Sequence, residues 1–243
     1  MTYGGQAAFD GVMMRGRTRY AVARRQADGT IVVTDGALPT WGSTLKRIPF
    51  VRGLVALAEA LPLGISSLAA RRKWVLAAAL LGLSFVPTWI GLAGLAAFVA
   101  LTGTYHHVRR LFGYHGAEHK AVNAYEAGLP LTVDAVQTCS TRHPRCGTSF
   151  LLVFFAVSFV ASHVLGSHLW LLPVVLAVAT EVQRLNVPLF AVPGMALQRV
   201  TTRPPSDDQV EVAIAALECV LAYDRGEMRT PTAIEPVAQS LSA

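Results

Sequence analysis

Charged side chains are scarce in this chain of 243 residues. They make up 15% of the sequence, whereas hydrophobic residues make up 53%, and the mean hydropathy is +0.44. A soluble globular domain carries about 25% charged residues. The shortage argues against an ordinary soluble protein and favours an integral membrane protein with modest polar parts.

Acidic residues are scarcer still in the first half of the chain. The acids before position 113 are Asp10, Asp28, Asp35 and Glu59, and the net charge of the whole chain is +6. The basic residues are not interleaved with aromatics as in a nucleic-acid-binding module, so we expect no nucleic-acid partner. In a membrane protein such an excess faces the cytoplasm and anionic lipid. The expected partners are therefore the lipid bilayer and, as a further candidate, anionic lipid head groups.

Cysteines are few and odd in number, and no secretory signal is visible. Cys139, Cys146 and Cys219 make a poor disulfide framework, and reduced thiols in a cytoplasmic setting can serve as metal ligands or core residues. The first residues lack a basic region followed by an apolar one, which a cleavable signal peptide requires. We therefore expect insertion through an internal hydrophobic segment.

Two long apolar runs are the most prominent feature of the sequence. Residues 74–103 contain no charge, are interrupted by Pro87 and are flanked by basic residues at both ends. Residues 150–180 repeat the pattern, with a turn at 166–168. Basic flanks at both ends favour both ends lying in the cytoplasm. The pattern predicts a mostly α-helical, polytopic protein of the cell membrane with two transmembrane helical hairpins and cytoplasmic polar regions.

The rest of the chain divides into shorter segments. Strand-like alternation around an Asp28-Gly29 hairpin signal predicts a small N-terminal β module. Helical periodicity with Arg52 and Glu59 on one face predicts an amphipathic helix at the membrane surface. The predicted segments are 1–47 (β-rich module), 48–70 (interfacial helix), 71–112 (first hairpin), 113–148 (cytoplasmic motif region), 149–185 (second hairpin), 186–225 (C-terminal cytoplasmic helix region) and 226–243 (disordered tail).

The motif H-x-x-E-H carries most of the chemical information. It consists of His115, Glu118 and His119 in a predicted helix over residues 112–128. Residues at i and i+4 share a helix face, so both histidines can point at one metal ion. Glu118 is placed to act as a base or as a further ligand. Glu126 lies on the same face and can reach the same region.

A second motif, His143-x-x-Cys146, follows in the same polar stretch. Imidazole and thiolate ligands suit zinc better than magnesium or calcium, so the sequence predicts a site for zinc or another divalent transition metal. If His115, His119, His143 and Cys146 all bind, the site is closed and structural. If one of the four does not bind the metal, a water molecule can occupy the open coordination position, and Glu118 can take a proton from that water. Both designs remain open.

Further candidates carry less specific signals. Glu181, at the end of the last apolar run, is either a functional intramembrane acid or an interfacial acid paired with Arg184. Five arginines could bind lipid phosphates or an anionic substrate, although ordinary basic flanking of membrane segments is the better explanation for most of them. They are Arg15, Arg142, Arg145, Arg199 and Arg203. The additional candidates are Cys139, Glu181, Arg15, Arg145 and Arg203.

Five motifs together resemble a known family. They are Gly4-Gly5-Gln6-Ala7, residues 11–16 (GVMMRG), residues 114–120 (YHGAEHK), residues 143–149 (HPRCGTS) and residues 201–204 (TTRP). From about residue 3 to 222 the chain resembles the YqhQ-like bacterial membrane proteins, a domain-of-unknown-function family also labelled as predicted metal-dependent enzymes. The resemblance implies an integral membrane protein in which the two metal-type motifs lie close together. It implies no particular substrate.

Two classes of function follow. The first is a zinc-dependent hydrolase at the cytoplasmic membrane surface, with His115 and His119 as ligands, His143 or Cys146 as a third, and Glu118 as the general base. The second is a non-catalytic membrane scaffold or lipid-binding protein, in which the same residues form a structural metal site or a polar cluster. A transporter is a weaker third class, because the apolar runs offer no evident ion path.

Overall fold

The computed structural model of the protein describes residues 3–8, 10–38, 44–55, 58, 106–166, 170–185 and 188–227. They belong to two units, one drawn from residues 1–38, 102–143 and 198–243 and the other from residues 39–101 and 144–197. The strands are β1 (Gly4–Ala8), β2 (Gly11–Arg15), β3 (Arg19–Arg25) and β4 (Ile31–Ala37). A 3-10 turn spans Leu45–Arg47, and the helices are α1 (His106–Glu126), α2 (Val133–Gln137), α3 (Gly147–Leu165), α4 (Leu171–Arg184), α5 (Pro188–Thr201) and α6 (Asp207–Asp224).

Alternating apolar residues near the N-terminus build the sheet of the first unit. The four strands are antiparallel and lie in the order β1-β2-β3-β4. Because side chains alternate between the two faces of a strand, one face is buried. The predicted hairpin between β3 and β4 is confirmed: Gly29 has φ 90°, and the Thr30 N–H donates to Asp28 Oδ1 at 2.9 Å. The buried face carries Val12, Met14, Ala21, Ala23, Ile31 and Val33.

Helices α1 and α6 pack against this sheet and complete the core. Helix α6 lies within the predicted C-terminal helix region at 186–225, and its first turn has a capping box between Ser206 and Gln209. The buried positions of β3 are alanines, which leave room for a helix to approach the sheet closely. The apolar stripe of α6 is buried and consists of Val210, Ile214, Leu217 and Leu221.

Helix α1 ends where the sequence predicts and contacts a second segment through a glycine. Gly128 has φ 69°, a left-handed conformation that favours glycine after a helix. The Leu129 N–H donates to the Ala124 carbonyl at 2.9 Å. A Cβ on Gly116 would lie 2.1 Å from the Arg203 carbonyl oxygen, so only glycine allows this close approach. The segment that follows α5 is thereby held against the helix that bears the H-x-x-E-H motif.

In the second unit, α3 and α4 pack against each other. Helix α3 has 19 residues and a hydropathy of 2.0, and by length and composition it could cross a membrane. Among the described residues, α3 alone meets that description. Only 11% of its apolar window is buried.

The prediction of a polytopic protein with two transmembrane hairpins is wrong. Helix α4, the second arm of the predicted hairpin over residues 149–185, has 14 residues. It is about 21 Å long, whereas a bilayer core is about 30 Å thick. It also carries Glu181 in an ion pair with Arg52. In the region of the other predicted hairpin, residues 71–105 lie outside the described part of the chain, and residues 106–112 begin α1 of the first unit.

Other segment predictions are only partly covered. Within the predicted interfacial helix at 48–70, residues 51–55 and 58 are helical, and positions 56, 57 and 59–70 lie outside the described residues. The predicted disordered tail lies outside them from residue 228 onward. The segment boundaries therefore stay predictions.

Candidate functional site

Consecutive turns of α1 carry the residues of the H-x-x-E-H motif. The rings of His115 and His119 have centroids 4.5 Å apart and meet edge to face at 62°. A ring nitrogen of one lies within 4.8 Å of a ring nitrogen of the other. His119 is 2% exposed and Glu118 is 5% exposed, so most of the motif is shielded from water.

Hydrogen bonds fix the tautomers of both histidines. His115 Nδ1 lies 2.8 Å from the Thr201 carbonyl oxygen, and His119 Nδ1 lies 2.7 Å from that of Thr141. A carbonyl oxygen can only accept, so each Nδ1 must carry the hydrogen. In the neutral rings, Nε2 then holds the lone pair that a metal requires. Metal-binding histidines in proteins are oriented in this way by backbone carbonyls.

A third histidine, His143, lies beside this pair. Its ring centroid is 5.9 Å from that of His119, and its Nε2 is 3.3 Å from Glu126 Oε2. Its backbone is held by the side chain of Gln198, which is fully buried. The His143 N–H donates to Gln198 Oε1 at 2.8 Å, and Gln198 Nε2 donates to the His143 carbonyl at 2.9 Å. The structure thus brings His115, His119, His143 and both glutamates of α1 into one unit.

Glu118 is the carboxylate of the site. Its Oε1 accepts the backbone N–H of Gly5 at 2.9 Å, and its Oε2 lies 3.4 Å from His119 Nε2. Burial raises the pKa of Glu118 from 4.5 to about 7, against the opposing influence of His115 and the Gly5 N–H. A carboxyl group with a pKa near neutrality can both accept and release a proton at physiological pH.

Two further side chains of α1 attach the loop after α2. Lys120 Nζ donates to the carbonyls of Gln137 and Cys139, each at 2.6 Å. Asn123 Nδ2 donates to Ser140 O at 2.8 Å and to Arg142 O at 3.1 Å. Burial lowers the pKa of Lys120. These bonds hold residues 137–142, including the carbonyl that His119 contacts, along the same face of α1.

The remaining cysteine and arginine candidates are distributed over both units. Cys146 belongs to the second unit, where it is buried and caps α3, accepting the Thr148 N–H at 3.4 Å. Its role as a ligand rests on the sequence spacing and stays a prediction. Cys139 Sγ lies 3.8 Å from Ala135 O. Arg145 is exposed in the second unit. Arg15 lies in β2, and the Arg203 N–H donates to Phe112 O at 3.0 Å.

Glu181 forms an ion pair within the second unit. Arg52 Nε donates to Glu181 Oε1 at 2.7 Å, and Arg52 Nη2 makes a second close contact with Oε2. The Phe50 N–H also donates to Oε1, at 2.8 Å. The Arg52 guanidinium lowers the pKa of Glu181 to about 2, with smaller help from Arg184. The ion-pair partner of Glu181 is therefore Arg52, which is distant in sequence, and not the predicted neighbour Arg184.

Sequence reasoning missed the residues that orient the site. Gln198 and Thr141 belong to none of the five motifs, and Gly5 belongs to the motif at residues 4–7, which carries no ionisable or metal-binding side chain. The roles of all three depend on contacts between distant segments. The motif at 201–204 could have pointed to one of these residues, because it contains Thr201, whose carbonyl His115 contacts.

The donor atoms fit a divalent transition metal. Two imidazoles that contact carbonyls through Nδ1 and present Nε2, beside a carboxylate oxygen, form a donor set of the kind that zinc and its neighbours prefer. Fold and site together define an α+β protein with a buried histidine–carboxylate cluster on a helix that covers an antiparallel sheet.

The chain belongs to the family described as "Protein of unknown function (DUF1385)", whose model matches residues 70–223. It is 33% identical over 297 residues to "Uncharacterized protein YqhQ" of Bacillus subtilis (strain 168), with 91% of this chain and 93% of that protein covered. The predicted membership of the YqhQ-like family is confirmed. No solved structure matches the chain.

Proposed function

We propose that this protein is a metal-dependent hydrolase in which His115 and His119 hold zinc or another divalent transition metal. His143 is the third candidate ligand within the same unit. The observation that carries the proposal is the pair of bonds from His115 and His119 Nδ1 to backbone carbonyls, which leaves Nε2 of each ring available to a metal, with His119 Nε2 3.4 Å from Glu118 Oε2.

The chain's own residues supply the rest of the chemistry. A divalent metal at this site would act as a Lewis acid on a carbonyl or phosphoryl oxygen of the substrate. Glu118 serves as the general base, because its pKa of about 7 lets it take up a proton at neutral pH and release it afterwards. The Gly5 N–H holds Oε1, so Oε2 is the oxygen nearer to His119. Glu126 orients the His143 ring.

A non-catalytic scaffold is the second candidate. The observation that favours it is the number of separate segments that the polar face of α1 joins. Glu118 bonds to β1, His115 bonds to the end of α5, and Lys120 bonds to the loop after α2. A closed metal site or a metal-free cluster with these bonds would stabilise the fold without any reaction.

The test combines metal analysis with Glu118→Gln. The full chain is purified, its transition metal content is measured, and hydrolysis of model esters, peptides and phosphodiesters is assayed. The amide keeps an acceptor for the Gly5 N–H but cannot take a proton. Retained metal with lost hydrolysis supports the enzyme, and unchanged behaviour of the variant supports the scaffold. Absence of stoichiometric metal from the wild-type protein would contradict the proposed metal site.

We further propose that α3 anchors the protein in the cell membrane. A core helix of a soluble protein is mostly buried, whereas the apolar window of α3 is 11% buried. Val160 and Val164 are 60% and 74% exposed. Cys139, Cys146 and Cys219 form no disulfide with one another, which suits a protein whose polar parts lie in the reducing cytoplasm. Lipid head groups with negative charge are then natural partners for the basic chain.

Membrane extraction tests the anchor. We expect the wild-type protein to stay with membranes through an alkaline carbonate wash and to require detergent for release. Val160→Arg should weaken this retention, because a central charge in a spanning helix costs about 2.5–3.5 kcal/mol. Val153→Ala, at a buried position of the same helix, is the matched control. Recovery of the wild-type chain in the soluble fraction without detergent would contradict the proposal.

A further inference from the structure

The side chain of Gln198 makes an unusual pair of bonds. Its carboxamide lies in the last turn of α5 and is fully buried. It accepts the His143 N–H at 2.8 Å and donates to the His143 carbonyl at 2.9 Å, so one side chain pairs with both backbone groups of one residue. The backbone of Gln198 is itself held, because Thr202 donates to its carbonyl through N–H (2.9 Å) and Oγ1 (2.6 Å).

These two hydrogen bonds join two segments that orient the histidines. The loop that Gln198 holds at His143 also contains Thr141, whose carbonyl contacts His119 Nδ1. The helical turn that carries Gln198 also contains Thr201, whose carbonyl contacts His115 Nδ1. The carbonyls that orient the rings of His115 and His119 therefore lie in two short segments, and Gln198 links those segments to each other through His143.

We infer that Gln198 is the positioning residue of the histidine cluster. It fixes the position of the loop at 141–143 relative to the last turn of α5. It thereby sets the positions of all three rings. Only asparagine and glutamine side chains offer a donor and an acceptor in the fixed planar arrangement that a backbone N–H and carbonyl require. The inference concerns the rings themselves, and only its consequence for metal affinity rests on the proposed function.

The first experiment measures the tautomer of each histidine ring in metal-free protein. Nitrogen-15 NMR of the full chain in detergent reports whether Nδ1 or Nε2 of each histidine carries the hydrogen. In the wild-type protein we expect the Nδ1–H form at His115 and His119. Gln198→Met, which is similar in length but lacks both bonds, should give a mixture of tautomers at His119. Thr202→Val is the matched control, because it removes the Oγ1 bond to the Gln198 carbonyl but keeps the Thr202 N–H bond to that carbonyl and both bonds between Gln198 and His143.

The second experiment measures metal affinity by zinc competition. We expect Gln198→Met to bind zinc about 10–100-fold more weakly than wild type, as is typical when a group that orients a ligand is lost. Thr202→Val should bind within about threefold of wild type. Gln198→Asn keeps the amide but is one carbon shorter, so it should behave like Gln198→Met. A merely structural role would lower the stability of all three variants and leave the tautomers unchanged.

The outcomes separate the two hypotheses. Failure of the wild-type protein to bind zinc, with the expected tautomers and their loss in Gln198→Met, overturns the metal site and supports the positioning role. Wild-type tautomers in Gln198→Met overturn the positioning role. If that variant does not fold, hydrogen exchange in the wild-type protein decides. A protected His143 amide supports the inference, and rapid exchange overturns it.

Discussion

The carboxylate of Glu118 accepts the backbone N–H of Gly5 at 2.9 Å, although the two residues are 113 positions apart. Gly5 lies in β1, an edge strand of the sheet, where backbone groups remain available outside the ladder. The bond places the other carboxylate oxygen 3.4 Å from His119 Nε2. The position of the site's carboxylate is thus determined by the N-terminal sheet.

Gly5→Ala should destabilise the fold and displace Glu118. A Cβ at this position would lie 2.4 Å from the Met13 carbonyl oxygen and 2.9 Å from Glu118 Cγ. Overpacking of this kind costs about 1–3 kcal/mol, which thermal unfolding followed by circular dichroism can measure. Gly4→Ala is the matched control, because a Cβ there meets nothing within 4 Å. Equal unfolding midpoints for the two variants would contradict the close approach.

The Glu181–Arg52 pair should make stability depend on acid pH. The pKa of Glu181 falls from 4.5 to about 2 in the folded state, so the unfolded chain binds its proton first. The contribution is fully present above pH 4.5 and is lost as the pH falls from there to about 2. Glu181→Gln should flatten this part of the stability profile, measured as unfolding midpoints across the acid range. Arg52→Met should flatten it as well, and an unchanged slope in both variants would argue against the pair.

Lys120→Met should loosen the loop after α2. Lys120 Nζ donates to two backbone carbonyls, Gln137 O and Cys139 O, and methionine has a similar length but no donor. Each carbonyl left without a partner costs about 1–3 kcal/mol. We expect a lower unfolding midpoint and faster hydrogen exchange over residues 137–142. Full protection of that loop in the variant would show that the ammonium group does not hold it.

Cys146→Ser tests the remaining candidate ligand. Cys146 caps α3, and serine is a preferred capping residue, so helix stability should be retained. If the thiolate is a ligand, zinc affinity should fall by about 100-fold or more, beyond the 10–100-fold typical of a lost orienting partner. Cys139→Ser, at a thiol near Ala135 O, is the control for cysteine removal. Unchanged affinity in Cys146→Ser would leave the histidines as the ligand set.

Local signals predicted several elements correctly. The end of α1 follows from Gly128, and the β3–β4 hairpin follows from Asp28-Gly29. In each case a few adjacent residues impose a backbone conformation that no distant contact needs to supply. Helix α5 contains two prolines. Pro188 opens the helix, and Pro193 lies within it.

The predicted membrane topology failed for a different reason. Hydropathy and basic flanks describe how apolar a segment is, and they do not show which segments it packs against. Helix α4 is apolar, but Leu171, Val175 and Ala179 are buried, and Glu181 bonds to Arg52. Only α3 among the described residues remains long and apolar enough to cross a bilayer.

The sequence alone determined the family, the helix that carries His115, Glu118 and His119, and the chemical type of the candidate site. Spacing along one helix is a local property, so it can be read directly from the residue order. The tertiary structure alone decided which groups orient these side chains. Gly5, Thr141, Gln198 and Thr201 act through backbone groups or a neutral amide, and such contacts leave no pattern in residue type. Packing of distant segments brings them to the site, and the same packing raises the pKa of Glu118 to about 7.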